Sequence, residues 1–198
     1  MSSSKNQQLR LTTNRLQLKI ITRDDLDDIH HLHSLPETDR YNTLGIPENK
    51  TVTEAIVQQW LRQQQAEPNQ HFTWRIADKA TQQFIGLIAL HLGEERFKSG
   101  EVWYKLILAR WGQGLATEAL NAILKFSFEE LHLHRVGAGC ATENLASMRV
   151  LEKVGMQREG SKRKVLPIRG QWVDNYEYAI LEEEWNTINN VQSMTNDQ

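Results

Sequence analysis

Alternation of apolar and polar side chains marks the first strand and the first two helices. Residues 16–20 alternate between the two types, which predicts a half-buried strand. Two amphipathic segments begin after Thr22 and Thr51, each with an acidic residue three positions on, as in a capping box. The helical spacing of the first segment ends at Pro36. The chain therefore begins with one strand and two helices.

Two pairs of strand-like segments frame the middle of the chain. Residues 72–77 and 84–92 are separated by a polar turn and predict an antiparallel hairpin. Residues 158–166 and 172–181, joined through the Arg169-Gly170 turn, predict a second hairpin.

The centre of the chain predicts a strand, a glycine turn and a helix in direct succession. The strand covers residues 102–108, the turn Gly112-Gln113-Gly114, and the helix residues 115–130. A short strand at 135–141 completes a βαβ unit, and a helix follows at 144–153. We expect a single α/β domain with a mixed, mostly antiparallel sheet of about seven strands and about four flanking helices.

The two ends of the chain are polar and bound the expected domain. Residues 1–8 are expected to be a disordered tail, residues 9–185 the folded domain, and residues 186–198 a polar C-terminal tail. No internal repeat or low-complexity linker divides the domain.

The glycine turn has a chemical interpretation. The first turn of a helix has N–H groups without partners and a partial positive charge, so it attracts phosphate. Gly114 and Ala116 leave the backbone there accessible. The same glycines equally suit a tight turn with no ligand.

Composition narrows the class of protein. The 198-residue chain has a net charge of −2, which gives no basic field for nucleic acid. Its apolar runs are far shorter than the roughly 20 residues that cross a membrane, and its N-terminus lacks the apolar core of a signal peptide. The single cysteine, Cys140, fits a reducing compartment and is expected to be a small apolar residue in a strand. We therefore expect a cytoplasmic protein.

Three motifs carry a family resemblance: the run from Trp111 to Ala119 (WGQGLATEA), Asn144-x-x-Ser147, and the run from Val150 to Met156 (VLEKVGM). Together they resemble the GNAT superfamily of N-acetyltransferases, and more narrowly its Rim-type branch, which includes enzymes that acetylate the N-termini of ribosomal proteins. The resemblance extends from about Leu9 to Trp185 and includes Thr13-x-Arg15-Leu16 near the start.

The resemblance implies acetyl-CoA as co-substrate, held at a central splayed βαβ unit, and no metal. The backbone amides implied to hold its pyrophosphate are those of Gln113, Gly114, Leu115, Ala116 and Thr117. The strand backbone implied to pair with pantetheine is that of Leu106, Ile107 and Leu108. Asn144 matches a position that touches pantetheine, and it is also a favoured helix cap.

Ser147 matches a position proposed in the Rim-type branch to act near the thioester. Many members of the superfamily have a tyrosine acid further along the same helix, where this chain has Leu151. Some Rim-type enzymes have a basic glutamate where this chain has Leu166 or Gly139. These departures leave the general base and acid unassigned.

Glu101, which opens the strand before the glycine turn, is the first carboxylate to test as a base. Glu143 and Tyr104 are the next candidates to test. Each of the three also has an ordinary structural interpretation, Glu143 because a carboxylate near a helix N-terminus is stabilised by the dipole. Deprotonation through water, with catalysis mainly by positioning, is an alternative.

Two further groups of residues have less specific interpretations. Histidines at 30, 31, 33, 132 and 134 lack the spacing and partners of a zinc site, so no metal site is predicted. A basic cluster is expected to be a solvated strand face, or to contact a CoA phosphate or an acidic protein; it consists of Arg158, Lys162, Arg163, Lys164 and Arg169.

The sequence thus favours an acetyl-CoA-dependent N-acetyltransferase in which a primary amine attacks directly in a ternary complex. The N-terminal α-amine of a protein is the favoured acceptor, because its ordinary pKa of about 7.7–8.0 leaves much of it neutral near pH 7.5, whereas the pKa of lysine is near 10.4. The alternatives are a small-molecule amine acetyltransferase and a non-catalytic acyl-CoA-binding module. We expect a monomer or homodimer with no direct nucleic-acid or membrane partner.

Overall fold

The computed structural model describes residues 9–196, so the expected disordered tail, residues 1–8, lies outside the described residues. The described chain forms one eight-stranded sheet in the order β1-β2-β3-β4-β5-β6-β8-β7, in which only β5 and β6 are parallel neighbours. The strands are β1 Arg10–Thr12, β2 Leu16–Ile20, β3 His71–Asp78, β4 Phe84–Leu92, β5 Ser99–Leu106, β6 Arg135–Ala141, β7 Gln157–Ile168 and β8 Gln171–Leu181. The predicted mixed, mostly antiparallel sheet is confirmed, with one strand more than expected because Arg10–Thr12 forms a short edge strand.

Six α-helices are present in the described chain, two more than expected: α1 Leu26–Ser34, α2 Pro36–Asp39, α3 Lys50–Gln64, α4 Leu115–Lys125, α5 Leu145–Lys153 and α6 Glu182–Asn196. The predicted capping box of Thr22 and Asp25 is present and leads into α1 through a 3-10 turn. The second helix begins earlier than predicted, because the Asn49 side chain accepts a hydrogen bond from the amide of Val52, at 3.2 Å, and caps α3.

The helices lie in two layers, one on each side of the sheet. Helices α4, α5 and α6 pack on one side, which we call the α4 face, over the main core around Trp74, Leu120 and Val136. Helices α1 and α3 pack on the other side, the α1 face, over a smaller core that includes Ile29 and Val57. Residues of β5 alternate between the two faces.

Residues 186–196, expected to be a polar tail, belong to α6. The residues are polar in sequence, but Trp185 is 8% exposed and Ile188, three positions on, is packed against the main core. This spacing places both side chains on one side of the helix, which holds it against the domain. Within residues 9–196, no helix is long and apolar enough to cross a membrane.

Strands β5 and β6 separate soon after they begin. They pair in parallel only over Ser99–Glu101 and Arg135–Gly137. Beyond that point β5 continues beside β4, and β6 continues beside β8. The result is a wedge-shaped opening in the sheet between β5 and β6, which we call the splay.

Candidate active site

The glycine turn leads directly from the end of β5 into α4. Gly112 and Gly114 have φ values of +71° and +75°, which favour glycine because most side chains are strained there. The first helical hydrogen bond runs from the amide of Glu118 to the carbonyl of Gly114, at 3.0 Å. The amides of residues 115–117 therefore have no acceptor within the helix. Because the glycines beside these amides are exposed and have no side chain, a phosphate group fits against the amides.

Arg15 fastens this turn to the first strands. Its Nε donates to Glu118 Oε2 at 2.7 Å, and its Nη1 donates to the Gln113 carbonyl at 3.0 Å. Glu118 Oε1 also accepts from the Thr13 hydroxyl at 2.5 Å and from the Arg15 amide at 2.8 Å. Partial burial opposes ionisation of Glu118, but the hydrogen bonds from Thr13 and Arg15 outweigh it and hold its pKa below the ordinary value.

The backbone at the end of β5 is only partly free. The amide of Ile107 donates to the Ile85 carbonyl of β4 at 2.9 Å, so it faces away from the splay. The Leu106 carbonyl accepts from Trp111 Nε1 at 2.8 Å. Because successive residues of a strand direct their amides to opposite edges, the amides on the splay side belong to Leu106 and Tyr104.

The predicted stretch from residue 106 to residue 108 therefore does not act as a uniform strand edge. Strand β5 ends at Leu106, earlier than predicted, because a 3-10 turn begins at Leu108. Leu108 itself is 47% exposed. Leu106 remains at the splay edge, whereas the Ile107 amide is already occupied by β4.

Tyr104 and Ser147 meet across the splay on the α4 face. The two hydroxyl oxygens are 2.9 Å apart, and the Tyr104 hydroxyl also lies 3.3 Å from the Ser147 carbonyl. Asn144 caps α5, because its Oδ1 accepts from the Ser147 amide at 3.2 Å. The cap interpretation of Asn144 is thus confirmed, and it fixes the turn of helix that carries Ser147.

Two groups beside Ser147, the Tyr104 phenol and the Cys140 thiol, are uncharged at neutral pH. Burial raises the pKa of the Tyr104 phenol well above its ordinary value, against the opposing hydrogen bond from Ser147. Burial and nearby Glu152 raise the pKa of the Cys140 thiol to about 11. Cys140 is buried in β6, as expected of a small apolar residue.

The two predicted catalytic residues, Glu101 and Ser147, lie on opposite faces of the sheet. Glu101 is exposed at the narrow end of the splay, where it pairs with Gly137. It shares the α1 face with Trp103, whereas Tyr104 and Ser147 are on the α4 side. The Glu143 side chain is exposed, and its carbonyl accepts from the Tyr41 hydroxyl at 3.0 Å.

On the α1 face, the widening splay is floored by small residues of β6. A Cβ atom at Gly139 would lie 2.9 Å from Nδ2 and 3.1 Å from Oδ1 of Asn175. A glutamate at Gly139, as some Rim-type enzymes have, would therefore require Asn175 to move. Asn175 is 7% exposed, and its Oδ1 has no hydrogen-bond partner among the described residues.

The basic cluster is largely matched by local partners. The cations of this cluster are not buried. Most of them pair with a carboxylate or lie over an aromatic ring, as expected for a solvated strand face. The contacts are Lys162 with Glu177, Lys164 Nζ 3.9 Å from Asp174 Oδ1, Arg169 Nε 3.0 Å from Asp39 Oδ2, and Arg158 4.6 Å above the Tyr176 ring.

A family model described as an acetyltransferase (GNAT) domain matches residues 15–157. The chain belongs to the GNAT acetyltransferase family. YnaD of Bacillus subtilis, an uncharacterized N-acetyltransferase, is 33% identical over 180 residues, which are 90% of this chain and 100% of that protein. A crystal structure of a GNAT-family acetyltransferase from Bacillus anthracis is 29% identical with a TM-score of 0.77, and the match covers 89% of this chain and 100% of that one.

The Rim-type likeness of this GNAT protein is also confirmed. The uS5-alanine N-acetyltransferase of Escherichia coli is 34% identical over 77 residues, which are 38% of this chain and 40% of that protein. The relatives are N-acetyltransferases by name, and this GNAT protein is an acetyl-CoA-dependent N-acetyltransferase.

Sequence analysis does not predict one part of the site and gives another part lower priority. Arg15 and Glu118 both lie in family motifs, but their contact joins residues 103 positions apart. Tyr104 was ranked behind Glu101, although it is the residue that reaches Ser147. The signal available for Tyr104 was strand alternation, which sets it on the same face as the buried Val102 and Leu106.

Proposed function

We propose that this N-acetyltransferase acts on the N-terminal α-amine of a protein. The observation that carries the proposal is the contact of Ser147 with the Tyr104 phenol, which burial keeps neutral as it does the nearby Cys140 thiol, so neither group is a strong base. An α-amine supplies its own neutral fraction near pH 7.5, whereas a lysine amine needs a strong base. The similarity to the uS5-alanine N-acetyltransferase supports the same acceptor.

In this proposal the glycine turn binds the pyrophosphate of acetyl-CoA. The amides of residues 113–117 donate to the phosphate oxygens at the positive end of α4. Arg15 holds the turn in place through Gln113 and Glu118, and its Nη2 would lie 3.7 Å from a Cβ atom at Gly114. The guanidinium therefore lies beside the phosphate position, with its charge shared with Glu118.

The splay binds the pantetheine arm and the thioester. Leu106 and Tyr104 offer their amides along β5, and Asn144 borders the arm from the start of α5. Ser147 and Tyr104 face the sulfur, and their linked hydroxyl groups stabilise the departing thiolate and give it a proton. The residues of the α1 face guide the acceptor into the splay from the other side.

Acetyl transfer then follows from positioning and one proton donor. The neutral amine forms an N–C bond to the thioester carbon while the C–S bond breaks, and the extra amine proton leaves through water. Tyr104 and Ser147 supply the proton that the thiolate takes up, and water returns one proton to the pair, which balances the proton lost by the amine. Asn175 Oδ1 accepts a hydrogen bond from the amine as it enters above Gly139. Glu101, at the narrow end of the splay, is the carboxylate available to receive the proton that water carries away.

A thiol-release assay with acetyl-CoA tests the acceptor directly. The panel contains peptides with free N-termini, the same peptides with blocked N-termini and a lysine, polyamines, free amino acids and aminoglycosides. We expect the highest kcat/KM for free N-termini and at least about tenfold less for blocked peptides with lysine. A polyamine or aminoglycoside that outperforms every peptide would establish the small-molecule alternative instead.

A further inference from the structure

Lys105 is a buried cation on the α1 face of β5. Its neighbours along this face of the strand, Trp103 and Ile107, pack against the smaller core under α1 and α3. The Nζ atom is buried, and no group among residues 9–196 lies within hydrogen-bonding distance of it. An ammonium group held in this way is unfavourable unless an anion reaches it.

The charged groups around Lys105 do not neutralise it. Asp39 is 4% exposed, and its Oδ2 is already engaged by Arg169 Nε at 3.0 Å. Arg75 lies in the same row of the sheet, opposite Leu87, but it is paired with carboxylates of its own at Asp25 and Asp28. Lys105 and Arg169 therefore carry one more charge than Asp39 can balance.

His33 adds a second unpartnered polar atom. It is 1% exposed, and its Nε2 has no partner in the described chain, whereas the ring of nearby His30 is bonded to Thr53 Oγ1 at 2.8 Å. Burial, then Lys105 and His30, lower the pKa of His33 to about 3, so the ring is neutral. A neutral imidazole can direct an N–H toward the same anion as Lys105.

Lys105 and His33 lie on the α1 face, beside the open part of the splay. Lys105 is four residues, about 13 Å, beyond Glu101, where β5 and β6 last pair. Asn175 lies about as far from the narrow end of the splay on its other side, because it pairs with Ala141, which is four residues beyond Gly137.

A cavity of about 240 Å³ at the β7–β8 turn is linked to this cluster, among the described residues, only through Arg169. Its lining includes Arg40, Tyr41, Glu143 and Arg169, of which Arg169 also contacts Asp39. Because Arg169 is shared with Asp39, Arg40 and Glu143 balance each other at the cavity, and the one excess positive charge among the described residues of the region is that of Lys105, which favours an anionic ligand.

We propose that Lys105, with His33, binds a carboxylate of the acceptor, so that the enzyme acetylates amines that carry a carboxylate a few bonds away. The proposal rests on the proposed N-acetyltransfer to an α-amine and adds a requirement to it. The carboxylate has two possible sources, an acidic side chain next to a protein N-terminus and the α-carboxylate of a free amino acid. Burial lowers the pKa of Lys105 to about 8, against the effect of Asp39, and a bound carboxylate would raise it again.

Binding and turnover test the requirement separately. N-acetylglycine and N-acetylglycinamide, which differ in one charge, are titrated by calorimetry into the CoA-saturated protein at pH 7. Turnover is compared for glycine against glycinamide and for the peptide series Ala-Asp against Ala-Asn. We expect N-acetylglycine to bind at least about tenfold more tightly than N-acetylglycinamide. In one of the two turnover pairs, kcat/KM should also be at least about tenfold higher for the substrate with the carboxylate. That pair identifies the source.

Two variants assign the preference to Lys105. Lys105→Met keeps an unbranched side chain of similar length and should reduce the preference to less than about twofold, whereas Lys105→Arg should keep most of it. Equal binding of the two acetylated probes by the parent, or an undiminished preference in Lys105→Met, overturns the proposal. Carboxylate-selective binding without turnover of any amine would remove only the proposed function, and turnover indifferent to the carboxylate would remove only this inference.

Discussion

The hydroxyl oxygens of Tyr104 and Ser147 lie 2.9 Å apart across the splay, one on β5 and the other on α5. The contact joins two positions 43 residues apart and sets a proton donor where the sheet opens. It offers a physical account of how this chain acts with Leu151 in place of the tyrosine that many relatives have further along the helix. Both hydroxyl groups should therefore matter for the chemical step.

Tyr104→Phe should lower kcat about 10²-fold and leave the KM for acetyl-CoA nearly unchanged, because it removes a proton donor and no binding surface. Ser147→Ala should have a similar effect, and the double variant should be little worse than either single one, since the pair acts as a unit. Steady-state kinetics with a fixed acceptor provide the measurement. Tyr178→Phe, which removes a buried phenol bonded to Glu152, is the control and should keep kcat within about twofold. Additive losses in the double variant would contradict a paired role.

Gly114→Asp should weaken CoA binding, because it brings a carboxylate to the phosphate end of α4. Gly114→Asn has the same shape and a similar tolerance of the positive φ of +75°, so it reports the effect of backbone and bulk alone. We expect Asp to weaken the affinity about tenfold more than Asn, close to the effect of one nearby like charge in a partly exposed site. Calorimetric titration with CoA measures both. Equal affinities for the two variants would move the phosphate away from this turn.

Arg15 and Glu118 should be coupled in their effect on CoA affinity. Arg15→Met and Glu118→Gln each release the glycine turn, and each should weaken CoA binding about three- to tenfold. Because the Arg15 side chain is 52% exposed, the coupling energy in a double-variant cycle should be only about 0.5–1 kcal/mol. Glu129→Gln, at the exposed Lys125–Glu129 pair in the same helical stretch, is the matched control. Strictly additive effects on CoA affinity would show that the Arg15–Glu118 contact does not hold the glycine turn for CoA binding.

The contribution of the Arg15–Glu118 contact to stability depends on pH because the pKa of Glu118 is lowered. A carboxylate with a depressed folded-state pKa stabilises the protein above its ordinary pKa and loses that contribution as the pH falls through the folded value. The contribution of the Arg15–Glu118 contact to stability should therefore be fully present at pH 7 and should decrease as the pH falls below the ordinary value of about 4.3. Chemical unfolding of the parent, both single variants and the double variant over this pH range measures the decrease.

Local features of this fold were predictable from the sequence. The capping box of Thr22 and Asp25 and the cap of Asn144 depend on residues three positions apart, so the sequence contains all that determines them. The glycine turn was equally accessible, because the φ values of Gly112 and Gly114 follow from a tight strand-to-helix connection. Alternation along the strands likewise predicted the second hairpin.

The remaining features depend on distant packing. Glu101 was a natural first carboxylate, yet its position in β5 directs it to the face opposite Ser147, and its role as a base stays a prediction. No motif or spacing distinguishes Lys105 from other strand lysines, because the burial of its Nζ depends on the packing of the α1 face. The helix in the predicted C-terminal tail was also not predictable from local sequence, because Ile188 packs against the main core only in the folded domain.

The buried ring of His33 should make the protein less stable in mild acid. Its pKa is about 3 in the folded state, chiefly because burial disfavours the charged form, and near 6.5 when unfolded. Below pH 6.5 the unfolded chain binds a proton that the folded chain does not, so stability should fall as the pH decreases toward 3. The slope from this group approaches 1.4 kcal/mol per pH unit at most, or about 2 kcal/mol between pH 6.5 and pH 5. Urea unfolding of the parent at pH 7 and pH 5 should show this loss.

His33→Gln should reduce the loss between pH 7 and pH 5, whatever it does to stability at pH 7, because glutamine has no proton to gain. The matched control is His31→Gln on the same helix, whose side chain is exposed and should leave the pH dependence unchanged. The comparison uses the difference between two pH values within each variant, so a general destabilisation by His33→Gln cancels. An equal loss in the parent and in His33→Gln would show that another group, such as His91, whose pKa is lowered by burial and by His71, causes the acid sensitivity.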